Sequence, residues 1–344
     1  MLAPNELFVM RPMTGREPYS YAAAGHYSMK EIAADLGLEL RLDRFAWLDR
    51  GEQVVHTREG DAVSYDALLI AVGARSSKRF PRATTLEEPR IEQQMQGVIQ
   101  DLEVGYIRRV AFVVPSQTCW PLPLYELALL TAKRALEMNS HVSVTLITPE
   151  SAPLAVFGDV VSREIKHVLD GSDILAITSA RCGMHSSGPL TIYPDGRELV
   201  VDRVVTVPQL FGPSVPGVPR DTEGGFIAVD EHCRVEGLEN VFAAGDGTNF
   251  PVKYGGIAAQ QADTAARSIA AMAGASVEPE PLRPVLESIL LGPRNPLYLR
   301  ARLIGGRGYD SEVSETPLWS PSTQVASRYL GNYIEARQRS VVSR

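Results

Sequence analysis

The stretch Asn240–Gly256, NVFAAGDGTNFPVKYGG, places an aspartate between two glycines directly after a short apolar run. The run predicts a buried strand, and the small residues that end at Gly245 would let a ligand approach the backbone closely. Asp246 then falls at the carboxyl end of a parallel strand, where open α/β sheets bind their ligands. Gly255 and Gly256 begin the next predicted helix, so its free amide groups would face whatever Asp246 contacts. This combination predicts a cofactor site, whereas a Gly-Asp-Gly turn alone would indicate only a turn.

The composition is that of a soluble globular enzyme with one or two domains. The chain has 344 residues, of which 44% are hydrophobic and 22% are charged. A net charge of −7 argues against nucleic acid as a partner, because phosphate binding needs a basic face. No apolar run approaches the length of a membrane span, and the N-terminus lacks the pattern of a signal peptide. We therefore expect a cytoplasmic protein, with peripheral membrane contact left open.

The cysteines and histidines give no metal site. Cys119, Cys182 and Cys233 are widely spaced and odd in number, so they predict neither a disulfide framework nor a zinc site. The histidines stand singly along the chain, and no nucleophile lies beside a base in the sequence. These absences argue against a hydrolase or a transferase. No metal site is expected either.

Three motifs resemble those of a known superfamily. VFAAGD resembles the second flavin-binding motif of the two-dinucleotide-domain flavoproteins, the pyridine nucleotide-disulfide oxidoreductase superfamily. SYDALLIAVGA, which ends at Ala74, resembles the connecting motif of that superfamily, with Val72 where threonine is common. FVMRPM and PVKYGGIAAQQAD are most similar to the branch that contains type II NADH dehydrogenases and sulfide:quinone oxidoreductases.

The resemblance implies an α/β fold with two Rossmann-like domains. Strand-like and helix-like segments alternate along the chain, which agrees with mostly parallel sheets. The implied FAD-binding domain is discontinuous, over residues 1–105 and 223–275. An NAD(P)-binding-like domain occupies residues 106–222, and residues 276–344 form a C-terminal extension.

The resemblance also implies an activity and a set of cofactor-binding residues. Members bind FAD and pass electrons from NAD(P)H, sulfide or another small donor to a quinone or a small acceptor. Asp246 would hold the flavin ribityl chain, and Lys253 would place a cation near the flavin N1–C2 carbonyl, unless it is a solvated loop lysine. Arg11 would approach the isoalloxazine or form a surface salt bridge. The remaining implied cofactor-binding residues are Gly73, Gly245, Gly255, Gly256 and Ile257.

The first FAD-binding half-motif is absent from the sequence. Members of the superfamily begin with a strand and a GxGxxG turn that binds the FAD pyrophosphate, and this sequence contains no GxGxxG. Ala3 falls where an acidic residue often holds the adenosine ribose. We expect that the first strand–turn–helix is missing through truncation and that the chain alone binds FAD weakly. The alternative is a non-catalytic remnant or binding protein that retains the fold without FAD.

The second nucleotide motif is degenerate. The segment Pro115–Trp120, PSQTCW, replaces the glycines that would bind NAD(P)H, and Pro121 and Pro123 remove amide donors. Thr148 falls where a ribose-binding acid often sits, with Glu150 two residues later. Conventional NAD(P)H binding is therefore not expected, although an unconventional mode through the helix start at Tyr125–Arg134 stays open.

Cys119 is the one candidate for a catalytic residue. Sulfide:quinone oxidoreductases carry a cysteine in a similar Pro-x-x-x-Cys setting, and a helix start nearby would lower the pKa of the thiol. The alternative is a small buried hydrophobic residue beside Trp120. No second cysteine follows Asp246, where that family needs one. The C-terminal extension would be a membrane-surface or quinone-side element or a capping segment, and a homodimer is left open.

Overall fold

The computed structural model describes residues 1–10, 14–22, 25–323, 325 and 327–342, with side chains up to residue 338. In residues 1–105 the strands and helices are β1 (Leu2–Ala3), β2 (Leu7–Val9), β3 (His26–Ser28), α1 (Met29–Asp35), β4 (Arg41–Leu42), β5 (Phe45–Asp49), β6 (Val54–Thr57), β7 (Ala62–Ser64), β8 (Leu68–Ile70), β9 (Arg75–Ser77), β10 (Thr84–Thr85) and α2 (Ile91–Glu103). Residues 106–222 form β11 (Arg109–Val113), α3 (Leu122–Glu137), β12 (Ser143–Ile147), α4 (Asp159–Asp170), β13 (Ile174–Ile177), β14 (Arg181–Met184), β15 (Leu190–Tyr193), β16 (Arg197–Leu199), β17 (Arg203–Thr206) and β18 (Gln209–Phe211). The rest of the chain forms β19 (Val241–Ala243), α5 (Gly255–Met272), β20 (Val285–Leu291), β21 (Pro296–Ile304), β22 (Arg307–Ser314) and α6 (Leu330–Val342).

A continuous parallel sheet forms the centre of residues 106–222. It has five strands in the order β10-β17-β11-β12-β13, and every neighbouring pair is parallel. β11 is an uninterrupted apolar run from Val110 to Val113 because helices and other elements cover both faces of such a sheet. Helices α3 and α4 follow β11 and β12 as crossover connections, which is the expected α/β pattern.

The sheet near the N-terminus is in two separate pieces. β1 pairs in parallel with β4, and β8 pairs in parallel with β19, which returns from a distant part of the sequence. Among the described residues no ladder connects β1 to β8. Side chains do connect the two pieces, because Leu2, Leu68 and Ile70 belong to one hydrophobic cluster. The interruption lies where the sequence resemblance predicts the absent first strand.

The C-terminal residues pack against both regions. The antiparallel sheet β20-β21-β22 buries Leu286, Leu290 and Leu299 in the same hydrophobic cluster as the core of α3. Ile334 of α6 packs in a cluster with Met10. These contacts are those of a capping segment, and no helix of the described residues is long and apolar enough to cross a membrane.

Candidate functional site

The loop after β19 has a backbone that requires glycine at its first position. β19 is fully buried, and Gly245 follows it with a φ of +85°. That φ is in the left-handed region, where a residue with a Cβ atom is strained. The Gly245 amide donates a hydrogen bond of 2.8 Å to Oε1 of Gln261. The backbone conformation of the turn that presents Asp246 is therefore fixed at Gly245.

Gln261 connects this loop to helix α5. Its side chain is 1% exposed, and its Nε2 donates to Thr248 Oγ1 at 3.1 Å. The Thr248 hydroxyl in turn donates to the Gly245 carbonyl at 2.9 Å. One buried amide side chain thus bridges both ends of the loop, and we refer to residues 245–248 as the Gly-Asp loop. Such a satisfied buried network holds its members in one arrangement.

The end of β8 reaches the same place. Gly73, with a φ of +72°, lies so close to Gly247 that a Cβ atom on Gly247 would be 2.8 Å from the Gly73 carbonyl oxygen. Glycine is therefore required at Gly247 for close approach rather than for its φ angle. The two motifs identified from the sequence, which end the paired strands β8 and β19, meet at one edge of the sheet.

Helix α5 begins beside the Gly-Asp loop without a side-chain cap. Its N-cap residue Tyr254 has an extended backbone and makes no side-chain capping hydrogen bond. Gly255 is exposed, whereas Gly256 and Ile257 are buried. The first-turn amides of this helix can therefore bind an acceptor, and the positive end of the helix dipole favours a negatively charged one. Asp246 itself is partly buried and has interactions within the protein.

Lys253 points into the protein rather than toward solvent. It is 5% exposed, its Nζ lies 3.8 Å from the centroid of the Phe226 ring, and it donates a hydrogen bond to the Thr248 carbonyl. Burial lowers the pKa of Lys253 to about 8, and the charges of Asp246 and Asp221 oppose this shift. The solvated-loop alternative is wrong, and Lys253 instead supports the Gly-Asp loop from inside.

Cys119 is a buried thiol, not an activated thiolate. It is 6% exposed, and its Sγ donates to the Ser116 carbonyl at 3.0 Å. Burial raises the pKa of the Cys119 thiol to about 11, so the lowered pKa suggested by the nearby helix start is not found. Cys182 and Cys233 are also buried, and each belongs to a hydrophobic cluster that does not contain Cys119. The structure therefore favours the packing role.

An aromatic contact joins the two regions at this edge. The Trp120 ring, just before α3, stacks on the Tyr254 ring with centroids 4.6 Å apart and an interplanar angle of 26°. Tyr254 also donates a hydrogen bond of 2.6 Å to the Glu287 carbonyl of β20. The roles of Tyr254, Gln261 and Thr248 were not predicted from the sequence. The sequence carries a signal for Gln261 alone among these three, because the polar pair Gln260 and Gln261 interrupts an alanine-rich helix.

The structure thus brings most of the predicted residues together and leaves others untested. Gly73 meets Gly247 of the Gly-Asp loop, and Gly245 lies against Ala258 in the first turns of α5, next to Gly255–Ile257. Their contacts with a cofactor stay a prediction. Arg11 lies outside the described residues. The described residues contain no group of three or more histidines, cysteines or acids that could hold a metal ion.

Comparison with known proteins identifies the fold. No model of a protein family matches the chain, and no curated protein matches it in sequence. The sulfide:quinone oxidoreductase of the hyperthermophilic bacterium Aquifex aeolicus matches with a TM-score of 0.79 at 16% identity, over 91% of this chain and 80% of that chain. A ferredoxin reductase from Rhodopseudomonas palustris matches with a TM-score of 0.61 at 17% identity, over 88% of this chain and 75% of that chain.

A third match belongs to a large assembly. A chain of the mitochondrial ATP synthase of Tetrahymena thermophila matches with a TM-score of 0.64 at 13% identity, over 98% of this chain and 85% of that chain. At these identities the matches establish architecture alone. The fold that the sequence resemblance implied is confirmed: the chain has the α/β architecture of the two-dinucleotide-domain flavoproteins, with sulfide:quinone oxidoreductase among its structural neighbours.

Proposed function

We propose that the chain is a flavin-dependent oxidoreductase that passes electrons from a small donor through FAD to a quinone-like or small acceptor. The observation that carries this proposal is the Gly-Asp loop, which Gln261 fixes beside the uncapped start of α5. A flavin has a ring with hydrogen-bonding edges and a hydroxylated tail. A polar loop held beside the amides of a helix start suits both parts.

The residues present fit the flavin half of FAD. The Asp246 carboxylate would accept hydrogen bonds from ribityl hydroxyls, and the amides of Gly255–Ile257 would face the pyrimidine edge. The positive end of α5 would stabilise negative charge there. Bound flavin would supply two-electron redox chemistry, for which protein side chains have no equivalent. The chain's own contribution would be binding, orientation and the electrostatic field.

The residues present do not fit the adenosine diphosphate half. No ladder connects β1 to β8 among the described residues, and the sequence contains no GxGxxG turn to bind a pyrophosphate. Ala3 stands where an acidic residue often holds the adenosine ribose, and alanine has no carboxylate to do so. The proposal therefore includes weak binding: FAD would bind through its flavin half alone.

A flavin titration tests this proposal. The purified chain is titrated with riboflavin and FAD, and binding is followed by the quenching of flavin fluorescence. We expect similar affinities for the two ligands, because only the shared half is recognised, and weaker binding of both to Asp246→Ala. Asp195→Ala, at an exposed hairpin residue, is the matched control and should bind like the wild type.

Three results would contradict the proposal. They are no saturable binding of either flavin, unchanged binding by Asp246→Ala, or an equal loss in Asp195→Ala. Tight, stoichiometric FAD with weak riboflavin binding would refute the half-site in particular. If flavin does bind, stopped-flow reduction by sulfide and by NADH would then identify the donor.

A second candidate function is that of a non-catalytic component of an assembly. Two observations favour it: the interrupted sheet, and the ATP synthase chain that matches 98% of this chain, compared with 91% for the sulfide:quinone oxidoreductase. Native electrophoresis of extracts from cells that make this chain would test it. A stable high-mass complex together with no flavin binding would favour this function over the first.

A further inference from the structure

A Rossmann-like domain binds a dinucleotide at three places. The turn after the first strand and the following helix N-terminus bind the pyrophosphate, an acid at the end of the second strand binds the ribose, and the nicotinamide extends along the sheet edge. In residues 106–222 these places are the β11–α3 turn, the end of β12 and the surface beside Trp120. Each can be compared with the contacts found there.

The chain's own hydroxyl groups bind the acid nearest the end of β12, Glu150, which lies two residues after the usual position of a ribose-binding acid. Glu150 Oε2 accepts a hydrogen bond of 2.9 Å from the Tyr125 hydroxyl and one of 2.9 Å from Thr148 Oγ1. Tyr125 is fully buried on the first turn of α3, and its oxygen also accepts from the Leu154 amide at 3.2 Å. The Tyr125 hydroxyl thus makes one of the hydrogen bonds to a carboxylate that a ribose hydroxyl would make.

The turn before α3 offers no pyrophosphate site. Pro121 is the N-cap residue of the helix, with no side-chain capping bond, and Pro123 lies within the first turn. Neither has an amide hydrogen, and the Leu124 amide donates to the Pro121 carbonyl at 3.0 Å. Leu122 and Leu124 pack their side chains into the protein core. A helix start with two prolines and no glycine has fewer amide donors and less room for a diphosphate than a glycine turn.

The place for a nicotinamide is filled as well. Trp120 lies between the β11–α3 turn and the start of α5, stacked on Tyr254 at 4.6 Å and tilted against Phe157 at 5.7 Å. A nicotinamide that transferred electrons to a flavin at the Gly-Asp loop would have to lie between the same two elements. An indole ring already packs against both.

We infer that the second nucleotide site is closed from within by Tyr125, the proline turn and Trp120, so that the chain does not take NADH or NADPH and its electron donor is smaller than a dinucleotide. The statement about the donor rests on the proposed flavin function. The statement about binding does not, because it concerns only contacts within residues 106–222 and Tyr254.

The first test is direct binding to the full chain without flavin. NADH, NADPH and ADP-ribose are titrated by isothermal calorimetry and by saturation-transfer NMR. Enzymes that use such cofactors bind them between about 1 μM and 1 mM. We expect no saturable binding in this range. Saturable binding of any of the three would overturn the inference, whether or not flavin binds, whereas failure to bind flavin would affect only the proposed function.

The second test asks whether the closing contact exists in solution. Burial raises the pKa of Glu150 to about 7, and the hydrogen bond from Tyr125 opposes that shift. Tyr125→Phe keeps the ring but removes the donor, so the pKa of Glu150 should rise further, measured by ¹³C NMR of labelled glutamate side chains. Tyr19→Phe is the matched control, because the Tyr19 hydroxyl bonds Thr131 instead. An unchanged Glu150 titration in Tyr125→Phe, or an equal shift in the control, would overturn the inference.

Discussion

The sheet around β11 and the sheet pieces around β8 are built from the same kind of parallel strand, yet only the first is continuous. β11 has β17 on one side and β12 on the other, whereas β8 pairs only with β19 in the part of the chain that the structure describes. Both regions also lack the glycine turn of a dinucleotide site. The two regions differ in what occupies the place of that dinucleotide site.

In residues 106–222 side chains fill the place of the ligand, because Tyr125 and Trp120 make internal contacts there. Near the N-terminus no described side chain takes the place of a strand, and the sheet stays in two pieces. One tyrosine can make a hydrogen bond that a ribose hydroxyl would make, since both groups are hydroxyl donors. A side chain cannot substitute for a strand in this way, because a strand pairs through a whole row of backbone donors and acceptors.

The largest expected effect concerns the ion pair that holds the two regions together. Arg16 and Glu126 are 6% and 4% exposed, with Nε and Oε1 2.5 Å apart, and Glu126 also accepts from the Leu291 amide of β20 at 2.9 Å. Glu126→Leu leaves the guanidinium buried without its partner, so we expect the free energy of unfolding to fall by about 3–5 kcal/mol in denaturant titrations.

Two further variants separate the pair from simple packing. Arg16→Met combined with Glu126→Leu removes both charges and should recover most of the loss. Glu103→Gln, which breaks the exposed pair with Arg134, should cost less than about 1 kcal/mol. If the double variant is as unstable as Glu126→Leu, the ion pair is not what joins the regions.

Hydrogen exchange tests whether the two sheets differ in backbone pairing. The Leu68 amide donates to the Asn240 carbonyl, so the neighbouring Leu69 amide faces the unpaired edge of β8. We expect it to exchange at least about a thousandfold faster than the Phe112 amide of the central strand, which corresponds to roughly 4 kcal/mol in opening free energy. Leu68, on the paired edge of the same strand, is the internal control. Equal protection of Leu69 and Phe112 would mean that the N-terminal sheet is not open.

The features that the sequence predicted are local in the chain. Gly245 and Gly73 end strands, and Gly255 begins a helix, so each shows its role through its immediate neighbours. The fold class followed from the alternation of strands and helices and from the resemblance that these motifs carry. The contacts of these residues with a flavin remain a prediction.

The features that were missed depend on distant packing. Arg16 and Glu126 are 110 residues apart in the chain, and no local pattern indicates that they meet. Tyr125 and Glu150 are 25 residues apart, and their contact depends on the rotation of α3 over β12. For Cys119 the helix start suggested a lowered pKa, but burial, which the sequence does not show, has the larger effect.

The pH dependence of stability tests whether side chains fill the second nucleotide site, in residues 106–222. The pKa of Glu150 is about 7 in the folded chain, against an ordinary 4.5. Between these values the folded chain keeps a proton that the unfolded chain loses, so this residue makes stability fall as the pH rises. Glu150→Gln lacks that proton exchange. Its stability relative to the wild type should therefore increase, by at most about 3 kcal/mol, between about pH 5 and about pH 8.

The measurement is a pair of urea titrations for each protein at the two pH values. Glu137→Gln, at an exposed end of α3, is the control for an ordinary glutamate-to-glutamine substitution. A relative stability of Glu150→Gln that stays constant with pH would show that Glu150 is ionised in both states, which would contradict its burial against Tyr125.

The smallest expected effect tests the Gly-Asp loop, at the ends of β8 and β19. Gly245→Ala should lower the free energy of unfolding by about 1–2 kcal/mol, because a φ of +85° is unfavourable for alanine. A Cβ atom there would make only an ordinary contact of 3.4 Å with Ala258, so strain in the backbone, and not a clash, is the cause. Gly97→Ala is the matched control: Gly97 lies within α2 with open space around its Cβ position, and alanine there should stabilise the protein by about 0.5–1 kcal/mol. If Gly245→Ala were as stable as Gly97→Ala, the left-handed turn that presents Asp246 would not exist in solution.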